Sequence, residues 1–316
     1  MSIIVDRKKR RIYEQNLNLF KTVARMNKNK LQFFLCKLLK EYGYTKIVNT
    51  NMYLMAEGDL PICLCAHMDT VFTNPPRKIY YDRDAGIAWS PSGMGADDRA
   101  GITIILKILQ DGFRPSLVFT DLEEKGGVGA DSIVSRYADC PFKECKALIQ
   151  LDRRGVNDSV YYDCDNVDFE KKINSYGFET NWGSFSDISV LAPIWGVAAV
   201  NLSVGYENEH TTSEILSIPS MDLTYIKLKR ILKECEDWPS YSYIPSKTRY
   251  SFSNLFNLDD LGDNNVLKDE QGNILTCVCC GKPLKDYYYN YKYDNETFRV
   301  CPDCYEVCFC PGPLDE

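Results

Sequence analysis

Four short apolar runs, separated by helix-like stretches, dominate the sequence, and each leads into residues of a type that binds metal ions. Residues 61–66 (PICLCA) lead into His67-Met68-Asp69-Thr70, and residues 116–120 (SLVFT) into Asp121-Leu122-Glu123-Glu124. Residues 147–151 (ALIQL) are followed by Asp152, and residues 197–204 (VAAVNLSV), after a short loop, by Glu209-His210. Short buried runs alternating with helical patterns such as residues 101–109 (GITIILKIL) predict an α/β fold. The expected architecture is a three-layer α/β/α sandwich with a mostly parallel central sheet. Ligands of open α/β sheets bind outside the carboxyl ends of the strands, so the pattern gathers these side chains along one edge. A fifth group, Gly95-Ala96-Asp97-Asp98, precedes a helix, where the helix dipole favours ionised carboxylates.

Composition narrows the classes. A chain of 316 residues has room for about two domains. Its 45% hydrophobic and 26% charged residues exclude a disordered chain or a fibre. No apolar run approaches the ~18 residues that would cross a bilayer, which argues against a membrane protein. The net charge of −7 disfavours a nucleic-acid partner, because binding the phosphate backbone needs a basic surface. The start, MSIIVDRKKRRIYEQ, does not read as a secretory leader, so a cytoplasmic location is expected.

Helical spacing of Leu17, Phe20, Val23, Leu31, Leu35 and Leu38 predicts one helix over residues 15–42. Residues 221–234 (MDLTYIKLKRILKE) predict the last helix of a catalytic domain spanning 1–238. Residues 239–273, rich in Ser, Tyr, Asn and Asp, read as a linker or a surface-hugging segment. A cysteine-rich module occupies 274–316.

The chain has only two histidines, His67 and His210, and both fall in the strand-end pattern. Taken singly, each feature has a plain reading: a core histidine, solvated acids at Asp97-Asp98 and Glu123-Glu124, a turn aspartate at Asp152. Taken together, they concentrate negative charge that is costly unless cations neutralise it. Two histidines with three or four carboxylates suit two divalent ions, one carboxylate being shared across about 3.5–4 Å. The aspartate of a His-x-Asp unit would fix the tautomer of that histidine. One glutamate must stay unligated to accept a proton.

These motifs, with Gly95-Ala96-Asp97-Asp98-Arg99-Ala100-Gly101, Glu123-Glu124-Lys125-Gly126-Gly127-Val128-Gly129-Ala130 and Glu209-His210-Thr211, resemble the co-catalytic dizinc exopeptidases over roughly residues 15–235. That superfamily includes peptidase T, carboxypeptidase G and the compact dizinc aminopeptidases. The resemblance implies that His67 and Asp152 hold one ion, Glu124 and His210 the other, and Asp97 bridges them, with a cis peptide to Asp98. It further implies that Asp69 orients His67 and that Glu123 is the general base and later the proton donor to the leaving amine. The helix opened by residues 126–130 would pack behind the site. Asp187 falls where the family carries a loop near the substrate. The ions would be zinc, with cobalt or manganese as alternatives, and the substrate a peptide or small amide. Peptidase T and carboxypeptidase G insert a lid domain between the ligands that correspond to Asp152 and His210. The 58 positions here (210 − 152) leave no room for it, which favours an aminopeptidase or dipeptidase of the compact layout.

Cys277 and Cys280 form one C-x2-C and Cys301 and Cys304 a second, resembling a zinc ribbon that would hold a structural zinc ion. Cys279, Cys308 and Cys310 are surplus to that tetrahedron. Residues 286–293 (DYYYNYKY) between the knuckles read as a hairpin with tyrosines on both faces, or as an aromatic platform. Two competing readings accompany the hydrolase: a catalytically idle peptidase fold that binds a partner through the ribbon, and a ribbon-led nucleic-acid adaptor.

Overall fold

A computed structural model describes residues 7–246, positions 267, 275 and 284, and residues 289–293 and 296–300. The chain forms two compact units, Met1–Ser246 and Lys247–Glu316. The first begins with α1 (Arg7–Ala24) and α2 (Lys28–Glu41), followed by β1 (Ile47–Asn49), β2 (Tyr53–Ala56) and β3 (Leu60–His67). Next come β4 (Tyr80–Asp82), β5 (Ile87–Trp89), α3 (Ala96–Gln110), β6 (Pro115–Thr120), α4 (Val128–Val134), β7 (Ala147–Arg153) and β8 (Asp158–Val160). The unit continues through α5 (Val167–Asn174), β9 (Glu179–Thr180), α6 (Asp187–Trp195), β10 (Ala199–Ser203), β11 (Tyr206–Glu207), β12 (Ile215–Ser217) and α7 (Ile218–Glu234).

An eight-stranded sheet runs β1-β2-β6-β3-β7-β10-β8-β9. Its centre, β6-β3-β7-β10, is parallel. Alternation along the central strands explains why their sequences are apolar throughout. Ile62, Leu64 and Ala66 of β3 face one core, while Cys63 and Cys65 face the other. The first core holds Phe20 of α1, Leu31 and Leu35 of α2, Ile105 of α3, Phe169 of α5 and Leu228 of α7. The second holds Ile133 of α4 and Leu191 and Trp195 of α6. This is the expected three-layer sandwich with a mostly parallel centre. A smaller sheet, β11-β12-β5-β4, lies in the same unit. Residues between Asp152 and His210 supply β8, β9, β10 and β11 with α5 and α6, all within this unit's sheets and helix layers.

The single helix expected over 15–42 is two helices. Asn27 adopts extended backbone and its side chain accepts the Lys30 N–H, capping a new helix, so the chain turns between α1 and α2. After α7 the chain doubles back over the starts of the strands. The Tyr241 N–H donates to the Lys146 carbonyl at 3.0 Å and the Ala198 N–H to the Tyr241 carbonyl at 2.8 Å. The Tyr241 ring lies 5.1 Å from Phe169 and 5.8 Å from Trp238.

Helix α3 crosses β7 so closely that a Cβ on Gly101 would stand 1.8 Å from the Leu151 carbonyl oxygen and 2.4 Å from Asp98 Oδ1. Backbone of a central strand cannot withdraw cheaply from such a contact. Gly101→Ala is therefore expected to cost about 3 kcal/mol. Urea unfolding monitored by circular dichroism would measure it; a cost under about 0.5 kcal/mol would show that the packing is looser than described.

In the second unit, β13 (Tyr289–Tyr293) and β14 (Glu296–Val300) pair antiparallel. The tyrosine-rich segment thus contributes a hairpin strand. Cys277, Cys280, Cys301 and Cys304 lie outside the described residues.

Candidate metal centre

The strand ends deliver their side chains to one place. His67 is the last residue of β3 and fully buried. Its Nε2 lies 2.8 Å from Asp97 Oδ1 and 3.4 Å from Asp152 Oδ1, and its Nδ1 lies 3.2 Å from Asp69 Oδ1. His210 sits on the loop after β11 with φ 65° and a half-exposed side chain. Its Nε2 lies 3.1 Å from Asp97 Oδ2 and 2.9 Å from Glu124 Oε2. The two oxygens of Asp97 therefore face two different groups, His67 with Asp152 and His210 with Glu124.

Local backbone explains how these residues meet. The Asp97-Asp98 peptide is cis, and neither residue is helical, so α3 becomes regular only after them. Gly95, with φ 63°, admits the turn before it and packs where a Cβ would meet Thr70 Oγ1 at 2.8 Å. Asp98 is fully buried and accepts from backbone. Its Oδ2 accepts the His67 N–H at 3.2 Å and its Oδ1 the Gly101 N–H at 2.9 Å, joining the end of β3 to the start of α3. Asp69 accepts the N–H groups of Glu123 and Glu124, each at 3.2 Å, which fixes the single 3₁₀ turn Glu123–Lys125 beside His67. Glu123 itself has a carboxylate with no hydrogen bond among the described residues. Asp121 turns aside to Lys28, 2.6 Å away.

Electrostatics expose a shortage of positive charge. Burial opposes it, yet the charge of Asp152 and hydrogen bonds to Asp152, Asp69 and Asp97 raise the His67 pKa well above its ordinary value. Hydrogen bonds to Asp97 and Glu124 push His210 up to about 10. Burial would raise Asp97, but its bonds to His210 and His67 hold it below the usual carboxylate range. Burial, then the charge of Asp97, pushes Asp152 up to about 7, and burial drives Glu123 up to about 9. Both imidazoles are thus drawn toward their charged forms by the carboxylates around them, and the arrangement calls for positive charge. One N–H cannot satisfy the two carboxylates that each Nε2 faces, and Glu124 Oε1 is buried without a partner among the described residues. A nitrogen and oxygen donor set of this kind suits divalent ions. Among the described residues, His67, Asp98 and Asp152 and also His67, Asp97 and Glu124 bring ligand atoms within 4.8 Å of one another.

Asp187, at the start of α6, is 1% exposed. Its Oδ2 accepts from Thr120 Oγ1, its Oδ1 is buried without a partner among the described residues, and burial pushes its carboxyl up to about 6. It lies behind Glu123, near enough for its charge to help raise that group.

Three supporting residues escape sequence reasoning. Asn201 of β10 clamps the Asp152 backbone: its Oδ1 accepts the Asp152 N–H at 2.9 Å and its Nδ2 donates to the Asp152 carbonyl at 3.0 Å. Arg99, 2% exposed, donates to the carbonyls of Met68 and, at 3.4 Å, Met26, placing a buried cation near Asp69 and Asp98. Glu214, fully buried, accepts the Met94 N–H at 2.9 Å and the Asp97 N–H at 3.3 Å, and burial raises it to about 7. A polar residue inside the apolar run VAAVNLSV was a usable signal for Asn201. Glu214 follows His210 in an ordinary polar loop, and nothing in the sequence marks it as buried.

Residues 49–189 match the model of Peptidase family M28. No curated protein sequence matches the chain. Solved structures do. A tripeptidase from Staphylococcus aureus subsp. aureus mu50 is 16% identical with a TM-score of 0.58, the match covering 72% of this chain and 99% of that one. Aminopeptidase PepT from Bacillus cereus ATCC 10987 is 16% identical with a TM-score of 0.57, covering 71% and 99%. Aminopeptidase APDkam598 from the archaeon Desulfurococcus kamchatkensis is 14% identical with a TM-score of 0.56, covering 70% and 95%. At these identities the likeness is one of fold. Among the described residues, no helix is long and apolar enough to cross a membrane. Over residues 49–189 the chain is thus similar to Peptidase family M28, and its fold is like that of these tripeptidase and aminopeptidase structures.

Proposed function

We propose that the domain is a metal-dependent exopeptidase that hydrolyses an amide bond of a peptide or amino-acid derivative, in the manner of an aminopeptidase or dipeptidase. The observation that carries this reading is the division of Asp97, whose two carboxylate oxygens face His67 and His210 separately. His67 and Asp152 would hold one divalent ion, Glu124 and His210 the other, with Asp97 shared; zinc fits the mixed donors, and cobalt or manganese are alternatives. When bound, two such ions lower the pKa of a water towards ~7 and polarise the substrate carbonyl. Glu123, whose carboxylate is unengaged, takes the water proton and returns it to the leaving amine. Asp69 holds the His67 ring by its Nδ1. Asp187 is assigned to support Glu123 from within the domain, because its burial keeps it from the open cleft. The names of the tripeptidase and aminopeptidases of like fold support a peptide substrate. The cysteine pairs Cys277/Cys280 and Cys301/Cys304 are proposed to hold a separate structural zinc ion.

A panel of aminoacyl p-nitroanilides, dipeptides and tripeptides, run with zinc, cobalt or manganese, tests the reading. Hydrolysis that stops on chelation and returns with the ion is the expected result. A peptide-library digest read by mass spectrometry extends the panel; no cleavage in either, by protein carrying two ions, would overturn it.

A further inference from the structure

Glu214 links two segments that lie 117 positions apart in sequence. Its backbone N–H donates to the Thr211 carbonyl at 3.2 Å, closing the turn that directly follows His210. Its two oxygens reach separately to the N–H groups of Met94 and Asp97. Among the described ion pairs Glu214 takes part in none, so the start of α3 is what compensates this fully buried carboxylate. The rest of the His210 turn is held mostly by itself. Thr211 Oγ1 donates to the Asn208 carbonyl at 2.8 Å and accepts the Ser213 N–H at 3.2 Å. Apart from the β11–β12 ladder at its base and the contacts of His210 itself, its other long-range tie among the described residues is the partly exposed pair of Glu209 and Arg154 at 2.9 Å, a type of contact worth little in water. The other half of the centre is fixed independently: His67 by β3 and Asp69, and Asp152 by β7 and Asn201.

From this geometry we infer that Glu214 is a positioning residue, setting the spacing of His210 against Asp97 and so the affinity of the ion held by His210, Glu124 and Asp97. The inference rests on the two-ion reading proposed above. Glu214→Gln keeps the shape and one acceptor but turns an amide N–H toward a backbone N–H. Glu214→Ala removes both acceptors.

The test uses the full chain, stripped of metal and titrated with Zn²⁺ by calorimetry and with Co²⁺ by visible absorption, folding being followed by thermal unfolding. Wild type should take two ions. In Glu214→Gln one of the two should bind about tenfold more weakly, the range typical for loss of a group that orients a ligand. The other should stay within about threefold of wild type, and Glu214→Ala should widen the gap. The weakened ion should be the one whose cobalt spectrum changes when His210 is also replaced by Ala. Equal binding of both ions by wild type and Glu214→Gln overturns the inference and leaves the two-ion reading standing, as does equal weakening of both. Wild type binding fewer than two ions overturns that reading, and the inference with it.

Discussion

Glu123→Gln is expected to lower turnover by about 10³-fold or more while leaving the uptake of two ions unchanged. The separation of effects follows from where this side chain stands. Its backbone N–H is tied to Asp69, so the turn stays in place whatever the side chain carries. Its carboxylate makes no hydrogen bond among the described residues, so the amide leaves no partner stranded. Glutamine matches it in size but cannot accept a proton at neutral pH. Burial pushes the group up to about 9, with the charge of Asp152 and Asp187 among the causes. Cations seated beside those carboxylates would pull it down, so the base and the ions are coupled through charge and not through a bond. Single-turnover rates and ion counts by native mass spectrometry on the same preparation measure both halves of this expectation. A variant that hydrolyses substrate at near-wild-type rate would remove Glu123 from the reaction.

Asp97→Asn should weaken both ions together, each by about a hundredfold, and abolish activity. Asparagine offers one oxygen and one N–H₂ group, so whichever way the amide turns, either the His67 side or the His210 side faces a donor. The remaining oxygen lacks the charge that both sides draw on. The stability signature is equally plain. An ion present at 100 times its dissociation constant stabilises the fold by about 2.7 kcal/mol, so added zinc should raise the unfolding temperature of wild type and scarcely move that of the variant. Retention of one ion at undiminished affinity would show that the carboxylate is not shared.

The strand ends were legible because burial on both faces forces apolar runs, and because the side chains that follow such runs in a parallel sheet emerge at one edge. With two histidines in the chain, the candidate imidazole ligands had no competitors. The helical periodicity of residues 15–42 is legible too, but the cap at Asn27 interrupts it without disturbing the apolar spacing, so the one predicted helix is two. What stayed hidden were the groups that brace the candidate ligands from behind. Asn201 and Gln150 interrupt apolar strands. Asn201 clamps the Asp152 backbone, and Gln150 accepts the Ile188 N–H beside Asp187. Burial of Glu214 depends on a loop closing over α3, a non-local event with no periodic trace. Asp98 illustrates the limit from the other side: adjacent to Asp97 and equally acidic, it serves backbone donors, and only the turn of the chain separates their tasks.

The return of residues 239–246 along the starts of the central strands fixes where this molecule can be divided. Tyr241 exchanges hydrogen bonds with Lys146 and Ala198, and Tyr243 donates to the Gly196 carbonyl at 2.9 Å. A protease cutting just after Trp238 would strip a clasp from the sheet and bare the rings of Trp238 and Phe169. A cut beyond Ser246 would leave the clasp shut. The seam of the peptidase-like unit therefore falls later than its final helix, at the end of the sheet remote from His67.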